Sequence, residues 1–329
     1  MNYRKLGNTG LDISEIIFGG GAVGGILIDA DDDTRRKAVR IALNAGINWI
    51  DTAASYGNGL SETAIGWLMK ELPENDRPYI STKTAFDRAA GDYVGQAEKA
   101  LTASLERLQM DSIDLYQIHN RIAASPDTIT NGITPDDLLH SGGIADAMQA
   151  MVDKGLTRHV GFTSTGEAEP LHEVIASQRF SCAQIYYNLL NPSAGRVMRH
   201  NWSAYDHKNI IAACANNQIG VLVIRVLAAG VIATDVRTGR EGGVALNNDV
   251  ESDVQRMKKV LPLLKPEHGA RSQVAVRYAL RNPGVSGVEV GMAELEHLEL
   301  AIRAAEMGSL PDALLSELDD LADANFGIS

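Results

Sequence analysis

Two cysteines, ten prolines, 5% aromatic residues and a shortage of positive charge mark this 329-residue chain before any motif is read. Cys182 and Cys214 have no metal-ligand spacing and make no disulfide framework, so two buried thiols in a reducing compartment are expected. Lys and Arg number 30 against 42 Asp and Glu, leaving a net charge of −12. The cation excess that non-specific nucleic-acid binding needs is therefore missing, and an anionic ligand would have to be held by a local site. No apolar run reaches the ~18 residues of a membrane span, and Met1 to Gly7 carries no signal-peptide run. A cytoplasmic protein without a membrane or nucleic-acid partner is the expectation. No G-x-G-x-x-G opens a helix after a strand, since Gly19-Gly20-Gly21 continues as Ala22-Val23-Gly24-Gly25, which argues against a Rossmann domain.

What is present is 45% hydrophobic, ample for a large core, with no linker or low-complexity tract dividing the chain. Eight short β-branched or apolar runs stand out: Ile13 to Gly19, Asn48 to Asp51, Tyr79 to Lys83, Ile113 to His119, His159 to Thr163, Ala183 to Asn188, Val221 to Val226 and Val285 to Val290. Between them lie amphipathic stripes such as Ala97, Leu101, Leu105 and Leu108. Eight strands with crossover helices fit a (β/α)8 TIM barrel, spanning residues 1–329 as one domain, better than a doubly wound sheet. Short alternating runs around Gly7-Asn8-Thr9-Gly10 read as an amino-terminal hairpin capping the bottom of the barrel. Two connections, 120–143 and 229–250, exceed ordinary βα loops and are expected to lie over the carboxyl face.

Chemistry in such a barrel sits at the carboxyl ends of its strands. Those ends supply Asp51, Lys83 and His119, with Tyr56 five residues beyond Asp51. A phenol is ordinarily too weak an acid to protonate a carbonyl at neutral pH. A neighbouring Lys83 ammonium would lower its pKa, Asp51 would hold that ammonium, and His119 would bond the same carbonyl oxygen. Metal-dependent hydrolysis is disfavoured, because only His119 of eight histidines ends a strand.

The runs Ile47-Asn48-Trp49-Ile50-Asp51-Thr52-Ala53-Ala54-Ser55-Tyr56-Gly57, Ser61-Glu62, Ile80-Ser81-Thr82-Lys83 and Asp114-Leu115-Tyr116-Gln117-Ile118-His119 resemble the aldo-keto reductase superfamily, with weaker similarity to its sugar-dehydrogenase branches. The likeness extends to His159-Val160-Gly161-Phe162-Thr163-Ser164 and Ala183-Gln184-Ile185-Tyr186-Tyr187-Asn188. It implies an NAD(P)-dependent oxidoreductase that interconverts an aldehyde or ketone, a sugar included, with its alcohol. Tyr56 would be the general acid and base, tuned by Lys83 and Asp51, with His119 orienting the substrate. The alternative is a cofactor-binding regulatory subunit resembling the potassium-channel β subunits.

Position by position, the resemblance implies that Thr163, Ser164 and Gln184 meet the nicotinamide carboxamide. Ile224 would replace the family's stacking aromatic, and Arg225 would add a cation. Gly20, Gly21, Asp51, Gly230, Gly291 and His297 complete the cofactor set. Arg237 and Arg240 are candidates for the pyrophosphate. After strand eight, where NADPH-dependent members place cations, this chain has Glu289, Gly291, Glu294, Glu296 and His297, so NADP(H) and NAD(H) both stay open. Ala22, Val23, Ile26, Phe86, Asn120, Tyr187 and Trp202 are expected to face the substrate pocket.

Overall fold

A computed structural model describes residues 1–21, 23–130, 132–237, 239 and 250–328. Two short antiparallel strands, β1 (Tyr3–Lys5) and β2 (Asp12–Ser14), precede the barrel strands β3 (Ile16–Gly19), β4 (Trp49–Asp51), β5 (Tyr79–Thr84) and β6 (Ile113–Ile118). A parallel pair, β7 (Arg121–Ile122) and β8 (Gly132–Ile133), follows. The barrel resumes with β9 (Thr157–Thr163), β10 (Cys182–Tyr186), β11 (Gly220–Ile224) and β12 (Gly287–Gly291). The eight barrel strands are parallel and close in the order β10-β11-β12-β3-β4-β5-β6-β9.

The helices are α1 (Ile26–Asp29), α2 (Asp32–Asn44), α3 (Leu60–Lys70), α4 (Tyr93–Leu108), α5 (Pro135–Leu139), α6 (Ile144–Asp153), α7 (Ala168–Ala176), α8 (Ile210–Asn216), α9 (Val250–Val260), α10 (Arg271–Leu280), α11 (Leu295–Glu306) and α12 (Asp312–Asp323). No helix among the described residues is long and apolar enough to cross a membrane. All eight expected runs overlap a barrel strand; the first is divided at Glu15, where the hairpin ends and the barrel begins.

The period-two alternation of each strand sorts its side chains into two cores. Outward residues such as Ile80, Ile185, Val223 and Val288 pack under the helices. Inward residues at the amino-terminal end form a separate apolar plug of Ile17, Trp49, Leu115, Cys182 and Leu222, closed from below by Leu6, Leu11 and Ile13 of the hairpin. Burying a Leu fully contributes about 1.5–3 kcal/mol, so the hairpin helps hold the barrel as well as seal it. The Arg4 guanidinium locks it in place by donating to the carbonyls of Leu280 and Val285, each at 2.9 Å. Both cysteines are buried thiols, and burial pushes Cys214 up to about 12.

The 120–143 connection is built rather than open. β7 and β8 pair within it, Ile122 and Ile133 are buried, and Thr134 and Asp137 cap α5 reciprocally. Arg88 reaches across to Asp137 at 2.7 Å, pinning the segment to the loop after β5. Of the second connection, residues 238 and 240–249 lie outside the described residues, and with them Arg240, as does Ala22.

Candidate active site

One step along the inward faces from the apolar plug, the barrel interior turns polar. The same parity that buries Trp49 aims Asp51 inward, and it sets Ser81 and Lys83 on β5, Gln117 on β6, Gln184 on β10 and Glu289 on β12 around it. The Trp49 indole N–H donates to Ser81 Oγ at 2.9 Å, and Ser81 Oγ donates to Asp51 Oδ1 at 2.6 Å. Gln184 Nε2 and Gln117 Nε2 donate to the same oxygen at 2.9 and 3.3 Å. Asp51 Oδ2 takes the Lys83 ammonium in an ion pair buried from solvent. Lys83 Nζ also donates to the Thr52 carbonyl at 2.7 Å and to the Tyr56 hydroxyl at 3.2 Å. Asp51, Lys83 and Tyr56 thus form one chain of hydrogen bonds running from the barrel core to its carboxyl rim.

The loop after β4 presents Tyr56 through a tight left-handed turn. Gly57, Asn58 and Gly59 have φ of 59°, 53° and 89°, a run that glycine accepts at little cost. The Ser61-Glu62 pair buttresses this arrangement. Ser61 Oγ accepts from Thr52 Oγ1 at 2.7 Å and donates to the Gly20 carbonyl at 3.0 Å. Glu62, buried, accepts from Thr82 at 2.5 Å and from Arg107 at 2.6 Å. His119 stands edge-on to the Tyr56 ring, their centroids 6.0 Å apart.

Electrostatics separates these groups. Burial brings the His119 imidazole down to about 4, helped by the Lys83 charge, so it is neutral at neutral pH. Burial alone would lower the Lys83 ammonium, but the Asp51 carboxylate beside it outweighs this and holds Lys83 above its ordinary value. Tyr56 differs from the sequence expectation. Lys83 does favour its phenolate, yet loss of water around the phenol is the larger effect and Asp51 opposes Lys83, leaving Tyr56 raised. The phenol therefore keeps its proton across the neutral range.

The remaining expected residues divide. Gly20 donates its amide to the Asp51 carbonyl at 2.8 Å, and a Cβ on Gly21 would lie 3.7 Å from the Tyr56 ring, so both edge the site. Thr163 is buried with an Oγ1 that has no hydrogen-bond partner among the described residues, whereas Ser164 Oγ is bound to the Gln184 carbonyl at 2.9 Å. Ile224 ends β11, partly exposed. Arg225 follows with φ of 59°; its guanidinium, near Tyr186, Tyr56 and Asp253, forms no ion pair among the described residues. Ala228, Ala229 and Gly230 then take φ of 46°, 56° and 101°. Such strain in alanines concentrates at ligand sites. Gly291 is exposed at the end of β12, and His297 Nδ1 accepts from the Ala293 amide at 3.2 Å at the start of α11.

Four expectations change. Tyr187 points away from the barrel interior: its ring lies 5.9 Å from that of Tyr278 on α10, and its hydroxyl bonds Arg281 and Asn282. Strand parity instead gives Tyr186 the inward place of Gln184, and it stacks on the buried ring of His207 at 5.5 Å. Asn120 commits its amide to the backbone of Phe86, accepting at 2.7 Å and donating at 2.9 Å, so these two residues clamp the loops after β5 and β6 to each other. Arg237 folds back onto its own backbone, donating to the Thr234 and Val236 carbonyls at 2.5 and 3.2 Å. Glu289 lies inside the barrel, leaving Glu294 and Glu296 as the acids at the start of α11. Of the other pocket candidates, Val23 is exposed, Ile26 is buried in the helix-side core, and Trp202 packs against Phe326 with Arg256 over its ring.

A closed parallel barrel with an Asp-Lys-Tyr chain and a neutral His at its carboxyl end defines a class of proton-transfer sites, and comparison with known proteins supplies the family. The aldo/keto reductase family model matches residues 15–323. Aldo-keto reductase YhdN of Bacillus subtilis is 30% identical over 301 residues, spanning 86% of this chain and 82% of that protein. L-galactose dehydrogenase of Arabidopsis thaliana is 26% identical over 336 residues, spanning 98% and 95%. Among solved structures, the holo form of an aldo-keto reductase from Bacillus halodurans superposes with a TM-score of 0.74 at 22% identity, covering 98% of this chain and 97% of that one. The chain belongs to the aldo/keto reductase family and is an NAD(P)-dependent oxidoreductase.

Proposed function

We propose that this barrel, as one unit over 1–329, interconverts a small aldehyde or ketone, with an aldose among the candidates, and the corresponding alcohol, and that Tyr56 handles the proton. The observation that carries the reading is the Lys83 ammonium held between the Asp51 carboxylate and the Tyr56 hydroxyl. In the reductive direction Tyr56 Oη gives its proton to the carbonyl oxygen as negative charge develops there. Lys83 Nζ, donating to Tyr56 Oη, stabilises the phenolate left behind. The neutral His119 imidazole donates a hydrogen bond to the same substrate oxygen and holds it facing Tyr56. In oxidation the phenolate takes the alcohol proton back.

The residues at the carboxyl face suit a dinucleotide. Thr163 Oγ1 is a buried hydroxyl without a hydrogen-bond partner among the described residues, and Gly21 leaves open the space beside the Tyr56 ring. Thr163 and Gln184 would meet the carboxamide, Ile224 the nicotinamide face, Arg225 with the strained 228–230 turn the phosphates, and Gly291 with His297 the adenosine end. Bound there, the dinucleotide supplies or accepts the hydride. Glu294 and Glu296 at the start of α11 repel a 2′-phosphate, so we read the site as giving NADP(H) no advantage over NAD(H). The net charge of −12 and the two buried thiols support a cytosolic protein acting on small molecules. For the regulatory-subunit alternative the described residues offer no apolar face: the exposed large hydrophobics, such as Tyr3, Val94 and Val197, are scattered over separate elements.

The test is a panel of aldehydes, ketones and aldoses assayed in both directions with each cofactor, beside fluorescence titration with NADH and NADPH. Turnover, with NADPH bound no more tightly than NADH, is expected. Tight cofactor binding without turnover across the panel would move the reading to a regulatory subunit.

A further inference from the structure

Glu289 is the inward-facing residue in the middle of β12, between Gly287 and Gly291. It follows Val288, whose side chain packs with the helix-side core, so strand parity sends the carboxyl the other way, into the barrel. There it accepts a hydrogen bond from Gln184 Nε2 at 2.6 Å and lies within hydrogen-bonding reach of the Asp51 carboxyl. The groups that face it are Asp51 from β4, Lys83 from β5, Gln184 and the Cys182 thiol from β10, and Tyr56 from the loop after β4.

Two carboxyl groups and one ammonium share this enclosed space. Two carboxylates accept hydrogen bonds and donate none, so a bond between them requires a proton on one. Like charges this close in a dry interior cannot both persist, and a second anion here has no cation of its own. The distribution of donors decides where the proton rests. Asp51 receives Lys83, Ser81, Gln184 and Gln117, four donors that all favour its ionised form. Among the described residues, Glu289 receives a donor only from Gln184. Its carboxyl is accordingly pushed well above the ordinary range, by burial first and by Asp51 second.

We propose that Glu289 is a positioning residue: a neutral carboxylic acid that donates to Asp51 and accepts from Gln184, holding Asp51 as the anion that pairs Lys83 and fixing the direction of the Gln184 amide. An ionised Glu289 would place a second negative charge near Tyr56 and disfavour the phenolate that proton transfer creates. Kept neutral, it adds a donor to Asp51 with no added charge. The catalytic part of this inference rests on the proposed reaction; the protonation state does not.

A Gln side chain offers one acceptor and one donor, as a protonated Glu does, while a Leu offers neither. The experiment therefore uses Glu289→Gln and Glu289→Leu beside the wild-type protein. The infrared difference spectrum of wild type against Glu289→Gln, taken at about pH 8 where an ordinary Glu is ionised, should contain the carbonyl stretch of a protonated carboxylic acid. Carboxylate bands in its place overturn the proposal. This measurement needs no turnover, so it decides the point even if the substrate panel fails. With an active substrate, Glu289→Leu is expected to lower kcat by roughly ten- to a hundredfold, the equivalent of one lost hydrogen bond to a charged group, and to shift the pH profile of kcat. Glu289→Gln should recover most of that loss and return the wild-type profile. A Glu289→Gln variant as impaired as Glu289→Leu means the ionised carboxylate is what matters, and a Glu289→Leu variant with wild-type kcat and profile means the residue positions nothing; either result overturns the proposal.

Discussion

Replacing Lys83 by Met removes the one cation from a buried cluster and leaves the rest of its packing close to intact. The ammonium now satisfies Asp51 Oδ2, the Thr52 carbonyl and the Tyr56 hydroxyl. Without it Asp51 keeps Ser81, Gln184 and Gln117 as donors, beside the proton proposed on Glu289, but no opposite charge. Removing one partner of a buried ion pair costs about 3–5 kcal/mol. The remaining donors on Asp51 place the expected loss near the lower end, about 3 kcal/mol at neutral pH. Urea unfolding of wild type, Lys83→Met, Asp51→Asn and the double variant, followed by circular dichroism at about pH 8, measures the loss. The double variant should regain part of the stability that Lys83→Met loses, because no charge is left unpaired. A Lys83→Met protein within about 0.5 kcal/mol of wild type would refute the reasoning, since that is the range of a surface substitution.

His207 offers a second stability test, because neither nitrogen of its buried ring has a hydrogen-bond partner among the described residues and burial holds it down to about 4. The unfolded chain takes up this proton first as pH falls below about 6.5, so the ring destabilises the fold by roughly 2 kcal/mol between pH 7 and pH 5. His207→Phe should lose less stability than wild type over that interval by this amount; equal losses in urea unfolding would contradict it. Gly21→Val puts a branched side chain beside the Tyr56 ring, and is expected to weaken NADH binding at least about tenfold while changing fold stability by no more than about 0.5 kcal/mol. Unchanged affinity in a fluorescence titration would mean that the cofactor does not use that space.

Much of the barrel was legible because its strands are short β-branched runs separated by amphipathic stripes, a pattern that burial on both faces imposes. Asp51, Lys83 and His119 were legible for a related reason, as ionisable residues at or beside the carboxyl ends of such runs. What the sequence hid was the consequence of parity and of contacts between distant segments. Tyr186 and Tyr187 are chemically alike, and only the position of Gln184 two residues earlier tells which one turns inward. Glu289 was read as part of an acidic stretch after the last strand, although its place between Val288 and Val290 already marked a charge inside a strand. Asn120 spends its amide on Phe86, 34 residues earlier, a pairing that exists only once two adjacent strands are aligned. The weakened acidity of Tyr56 is hidden because burial around a phenol, unlike a neighbouring lysine, leaves no mark in the order of residues.

The central claim is that Tyr56 Oη is the atom that exchanges a proton with the substrate. Tyr56→Phe removes that oxygen and leaves Lys83 its bonds to Asp51 and Thr52, so the fold and the cofactor site should survive. Single-turnover kinetics of this variant on the best substrate of the panel, with cofactor affinity measured alongside, is the most direct test. The account predicts unchanged cofactor binding with the chemical step slowed by about a hundred- to ten-thousandfold. A chemical step within about threefold of wild type would show that the proton travels another way and would contradict the account.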